Sequence, residues 1–335
     1  MATDYTDPTE GIVYDVCKTM LPSVIGHADW SADPKKRWIC TATLEADAYR
    51  VESPAPVDDV RTLLRRVMHR AHGRSAVLGF DFPIGIPERY AARAGIQSFR
   101  TALLEFGAGR WRSFYDPART PTEIALERPF YPGSSRKGSQ KTHLLNALGL
   151  DSVDDLLRQC DRPHEARGAA CSLFWTLGPN QVGRAAIVGW RDMLAPALRA
   201  GDVDVALWPF DGELRSLIGQ HACVIAETYP AECSVQLGLA AGLRWSKRKQ
   251  GDRRTKATRL LSWSSDRLIT WTDALASAIY DGFGSSGDGE DRFDALIGVL
   301  GMVDVVAARR AEGAPKNAIC RDVEGWILGQ NDPSV

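Results

Sequence analysis

The stretch from Asp291 to about Arg310 constrains the fold most. Its run ALIGVLGMVDVVAA (Ala295–Ala308) has helical length and is apolar almost throughout. A helix that is apolar on every side has to be enclosed, so this one must lie buried against a sheet. Asp291 and Asp294 stand just ahead of the apolar run. Their i, i+3 spacing puts both on one face of the first turn, which the buried helix carries toward the edge of that sheet. An N-cap and a favourable place on the helix dipole account for the same two acids without further function.

The strands for such a sheet are readable upstream. LPSVIGHA (Leu21–Ala28), RWICTATL (Arg37–Leu44) and Tyr49–Ser53 predict a three-strand meander, turning at Asp33-Pro34-Lys35-Lys36. Asp58–Ala71 has apolar residues at Val60, Leu63, Leu64 and Val67, the spacing of a helix that Gly73 ends. SAVLGFDF (Ser75–Phe82) reads as a buried strand stopped by Pro83 and Gly85. Strand, strand, strand, helix, strand implies a mixed α/β sheet flanked by helices. HACVIAET (His221–Thr228) is a further strand. Between lie about 88–220, with helices expected at Gln97–Phe106, Val153–Gln159 and Arg184–Leu198 around a loop-dominated excursion, Trp111–Gly138. A helix is expected around Leu268–Tyr280.

Three acids share one context: Asp29 follows VIGHA, Asp81 follows AVLGF and Glu227 follows CVIA. A carboxylate at the end of a buried strand is costly unless solvated, paired or bound to a cation. Any one of them can be a turn or helix cap. Three such acids, if their strands are neighbours, lie together at the carboxyl edge of an α/β sheet, where sites form. With Asp291 and Asp294 they supply the oxygen donors that hard cations such as Mg2+ take. Two such ions about 3.5–4 Å apart make the clamp used in phosphodiester hydrolysis.

The blocks DWSADPKKR (Asp29–Arg37), GFDFPIGIP (Gly79–Pro87), ETYPAE (Glu227–Glu232), EDRFDALIGVL (Glu290–Leu300) and EGWI (Glu324–Ile327) resemble the domain of unknown function 429 family. So do LFWTLGPNQVG (Leu173–Gly183) and ALWPFDGE (Ala206–Glu213). Members of that family are predicted RNase H-like nucleases. The resemblance implies one RNase H-like domain over 20–330 after a leader at 1–19, with the 88–220 segment inserted between the fourth and fifth strands. It implies Asp29 and Asp81 as strand acids and Asp291 with Asp294 as the helix pair, similar to the DxxDA signature of RuvC-like resolvases. Glu227 matches a fifth-strand position of accessory role. Mg2+ or Mn2+ would be the cofactor and DNA or RNA the substrate. An actin-like phosphotransferase or ATPase, or a non-catalytic nucleic-acid-binding or scaffold protein, are the alternatives on the same core.

The total of 41 basic and 42 acidic residues leaves no overall positive field, yet Arg244–Arg259 carries eight basic residues against Asp252 alone. Arg244, Lys247, Lys249, Arg253 and Arg254 are the phosphate-binding candidates in it, and a solvated charged segment is the plain alternative. Arg136, Lys137 and Lys141 lie near Phe130 and Tyr131, which could stack on an unpaired base or simply pack. His27 shares a strand face with Asp29. The seven cysteines contain no CxxC pair, which argues against a zinc ribbon and a disulfide framework. No run approaches the roughly 18 apolar residues of a membrane helix. The polar Met1–Glu10 lacks signal-peptide character, so a cytoplasmic protein is expected.

Overall fold

Eight strands form one mixed sheet in the computed structural model, which describes residues 21–134, 138–164, 167–177, 182–239, 245–265, 267 and 269–331. They are β1 (Val24–Asp29), β2 (Trp38–Glu45), β3 (Ala48–Val51), β4 (Ala55–Pro56), β5 (Ala76–Phe80), β6 (Val205–Leu207), β7 (Cys223–Glu227) and β8 (Ile269–Trp271). The order across the sheet is β6-β7-β5-β1-β2-β3-β8, with β4 beside β2. β1, β2 and β3 are the antiparallel meander; β5, β7 and β6 continue outward from β1 in parallel. Register aligns the strand ends: Ala28 lies opposite Phe80, and Phe80 opposite Glu227. The residues that follow therefore emerge at one edge.

The helices are α1 (Leu63–Arg70), α2 (Glu88–Ala94), α3 (Phe99–Glu105), α4 (Lys141–Leu148), α5 (Val182–Gly189), α6 (Ala195–Ala200), α7 (Leu214–Gln220), α8 (Pro230–Gln236), α9 (Gln250–Arg254), α10 (Ala257–Ser265), α11 (Asp273–Asp281) and α12 (Gly289–Val306). Alternation along the central strands gives each sheet face its own core. Val24, Ala28, Leu78, Phe80 and Ile225 pack with α1 and the 88–220 segment. Ile25, Val77, Val224 and Ala226 pack under α12. No described helix is long and apolar enough to cross a membrane.

Two local expectations change. The helix expected from Leu268 begins only at Asp273: β-branched and aromatic Ile269, Thr270 and Trp271 add β8 beside β3, and the Thr272 side chain caps α11 by accepting from Leu275 N. Leu268 itself lies outside the described residues. At Val153–Gln159 the chain makes only a 3-10 turn, Val153–Leu156, before a second turn at Gln159–Asp161. The Trp111–Gly138 excursion has little regular structure, but its rings are interior. Phe106, Trp111, Phe114 and Phe130 contact one another or Trp190 and are buried. Phe130 and Tyr131 are 0% and 2% exposed, so neither offers a face to a nucleic-acid base. Arg136 and Lys137 lie outside the described residues, and Lys141 begins α4.

Candidate functional site

α12 is placed by close packing. A Cβ on Gly298 would stand 2.2 Å from the His27 ring, so glycine there lets the helix lie directly on β1. Asp294 lies one turn before Gly298, and Asp29 lies two residues beyond His27 on the same face. The two advances point the same way and bring Asp294 to Asp29. His27 itself is fully buried beneath the helix, and burial lowers its pKa to about 3, so it stays neutral.

Four carboxyl groups meet in this neighbourhood. Asp29 closes β1 and is 9% exposed; Asp81 follows β5 and accepts from the Trp30 backbone N–H at 2.6 Å. Asp294, 5% exposed, and Asp291, half-buried, come from the first turn of α12. Burial above all, then Asp81, Asp294 and Asp291, holds the Asp29 carboxyl well above its ordinary range. Burial likewise raises Asp81 to about 7, against the opposing hydrogen bonds from Trp30 N and from the Asp29 carboxyl. Burial, with Glu290 and Asp294, brings Asp291 to about 6. Asp294 is also raised by burial, though Lys247 opposes the shift. Close, buried carboxylates raise one another's proton affinity and cannot all ionise freely.

Lys247 supplies the positive charge here. Its ammonium donates to Asp294 Oδ2 and lies 3.6 Å from Glu290 Oε1. Asp294 Oδ1 is buried with no hydrogen-bond partner among the described residues. Among those residues no three His, Cys, Asp or Glu side chains form a group arranged to hold a metal ion.

Glu227 reaches the same edge but faces another partner. Arg158 grips it with two bonds, Nη1 to Oε2 and Nη2 to Oε1, both 2.6 Å, and Ile84 N donates to Oε2 at 2.7 Å. The same guanidinium binds Asp161 through Nε at 2.9 Å and Nη2 at 3.0 Å. Glu227 thus ties the turn at 158–161 to β7 and stands apart from the four aspartates. Arg158, fully buried, was not legible in the sequence, because nothing in its spacing marks it.

The basic segment divides. Arg253 is 2% exposed and spends its guanidinium on the carbonyls of Lys247, Gly282 and Gly284. Lys249 and Arg254 are exposed, and Arg244 lies outside the described residues. Of those candidates that fall among the described residues, Lys247 alone touches the carboxylates. No family model, curated protein or solved structure matches the chain.

Proposed function

We propose that this chain is a metal-dependent phosphodiesterase acting on DNA or RNA, with Asp29, Asp81, Asp291 and Asp294 as its catalytic carboxylates. The carrying observation is the convergence of those four acids, from two strand ends and one helix turn, into one electrostatically linked group. The reading places them on an RNase H-like core with an insertion at about 88–220. An antiparallel β3-β2-β1 meander continued by parallel β5 and β7 supports that core.

The oxygens are of the hard kind that Mg2+ or Mn2+ takes, and the buried Asp294 Oδ1 has no hydrogen-bond partner among the described residues, but as the side chains stand no three of them are grouped around an ion. Asp29, Asp81 and Asp294, with Asp291 beside them, would hold the ion. Once bound, such an ion supplies activation of water and stabilisation of the leaving oxygen. The protein's own contributions are visible. Trp30 N–H fixes the Asp81 carboxylate, and Arg37 Nε holds the Ser31 carbonyl at 2.6 Å, steadying the turn after Asp29. The α12 N-terminus favours negative charge on Asp291 and Asp294. Exposed Lys249 and Arg254 are placed in sequence near Lys247 to meet a phosphate backbone.

Asp29→Asn and Asp294→Asn are each expected to abolish Mg2+-dependent cleavage of single-stranded and duplex DNA and RNA, with cooperative melting retained. Cleavage that survives both substitutions overturns the assignment. Thermal stabilisation by ATP without cleavage would instead move the reaction to phosphoryl transfer.

A further inference from the structure

Lys247 has a second acceptor within reach, and its backbone is held still. Its ammonium lies between Asp294, which it contacts, and Glu290 at 3.6 Å. Arg253 Nη1 donates to the Lys247 carbonyl at 2.5 Å and is anchored in turn on Gly282 and Gly284. Ser246 N is bound to Asp252 Oδ2 at 2.8 Å. Movement is therefore left to the side chain, 41% of which is in water.

We infer that Lys247 is an internal counter-ion that competes with a divalent cation for Asp294, releasing the carboxylate by moving its ammonium to Glu290. The inference rests on the carboxylates forming a cation site, as proposed above. Two independent features carry it beyond an acidic cluster. One is the tethered ammonium already on Asp294 Oδ2. The other is the buried Oδ1 of the same carboxylate, which has no partner among the described residues and gains none from the lysine. A displaceable lysine needs somewhere to go, and Glu290, which Arg248 Nε also approaches at 3.7 Å, is within its reach. Glu290 suits that role because it is the less buried of the two acids, 27% against 7% for the side chains. A long, flexible ammonium also suits a competitor better than a planar guanidinium, which would lock onto the carboxylate with two bonds.

The test is calorimetric titration of the full chain with Mn2+, using wild type, Lys247→Met and Lys247→Arg. Removing the competing charge is expected to tighten Mn2+ binding by about tenfold. In EDTA the Met variant should melt below wild type, and with saturating Mn2+ this deficit should shrink or reverse. Lys247→Arg keeps the charge and should bind no more tightly than wild type. Lys247→Gln replaces the Met variant if the latter does not melt cooperatively. If wild type binds Mn2+ and neither neutral variant binds it more tightly, the counter-ion role is overturned while the cation site stands. If neither wild type nor variants bind Mn2+, both readings fall.

Discussion

Asp81→Asn should stabilise the protein when no divalent ion is present. In the fold the Asp81 carboxyl is held at about 7 rather than 3.8, mainly by burial. Keeping it ionised above pH 7 costs about 4 kcal/mol at 1.36 kcal/mol per decade of proton affinity. An asparagine of the same shape still accepts from Trp30 N–H but carries no charge. Part of the desolvation cost remains with the buried amide, so a net gain of about 1–3 kcal/mol is expected. For a chain of this size that is a rise in Tm of about 1–4 °C.

The pH dependence makes the test specific. A carboxyl with a raised folded pKa binds more protons folded than unfolded between about pH 4 and pH 7. Its contribution to stability therefore declines as pH rises through that window. The variant and wild type should differ little at pH 4, and the gap should open toward pH 7 and then level off. His27 contributes with the opposite slope: buried and neutral at about 3, it weakens the fold as pH falls below the unfolded histidine value. It is common to both proteins, so it drops out of the difference between their melting curves, which reports Asp81 together with its effect on Asp29. Scanning calorimetry in EDTA at pH 4 to 8.5 is the assay. An asparagine variant that melts lower than wild type at pH 8, or a gap independent of pH, refutes the reasoning.

Gly298→Ala should lower stability by about 1–3 kcal/mol in urea denaturation, because its Cβ would press on the His27 ring at 2.2 Å. The intrinsic helix preference of alanine would give the opposite sign, so a stabilised variant contradicts the packing of α12 on β1. Arg158→Met leaves Glu227 and Asp161 buried without their cation and should cost about 3–5 kcal/mol. Adding Glu227→Gln should recover part of that loss, and a double variant no more stable than the single one would contradict the pairing. If nucleic acid binds over α9, Lys249→Glu and Arg254→Glu should each weaken binding of single-stranded DNA and shallow its salt dependence by roughly one phosphate contact. An unchanged salt dependence removes them from the interface.

The elements that place the carboxylates were legible because they obey simple periods. Ile25, His27 and Asp29 alternate along a strand, and the apolar run after Asp294 has nothing to do except lie on a sheet. Where several weak signals compete, the sequence was less readable. Ile269–Trp271 is three residues long and becomes a strand only because β3 offers it an edge. Trp111, Phe114 and Phe130 lie among Arg, Pro and Gly that suggest an open loop, yet with Phe106 from the end of α3 they bury one another against Trp190. Charges are hardest to read. Arg253 and Lys249 look alike in a basic run, but tertiary contacts turn one inward to carbonyls and leave the other in solvent. Glu227 stands at the same kind of strand end as Asp29, and only the arrival of Arg158 separates their roles.

The central claim is that the four aspartates form one cation site, and a crystal soaked in Mn2+ tests it most directly. An anomalous peak is expected within coordination distance, about 2.1 Å, of oxygens from Asp29, Asp81 and Asp294, lost in Asp294→Asn, with the Lys247 ammonium shifted toward Glu290. A Mn2+ peak elsewhere, or carboxylates still paired as here with no peak at saturating Mn2+, would contradict it.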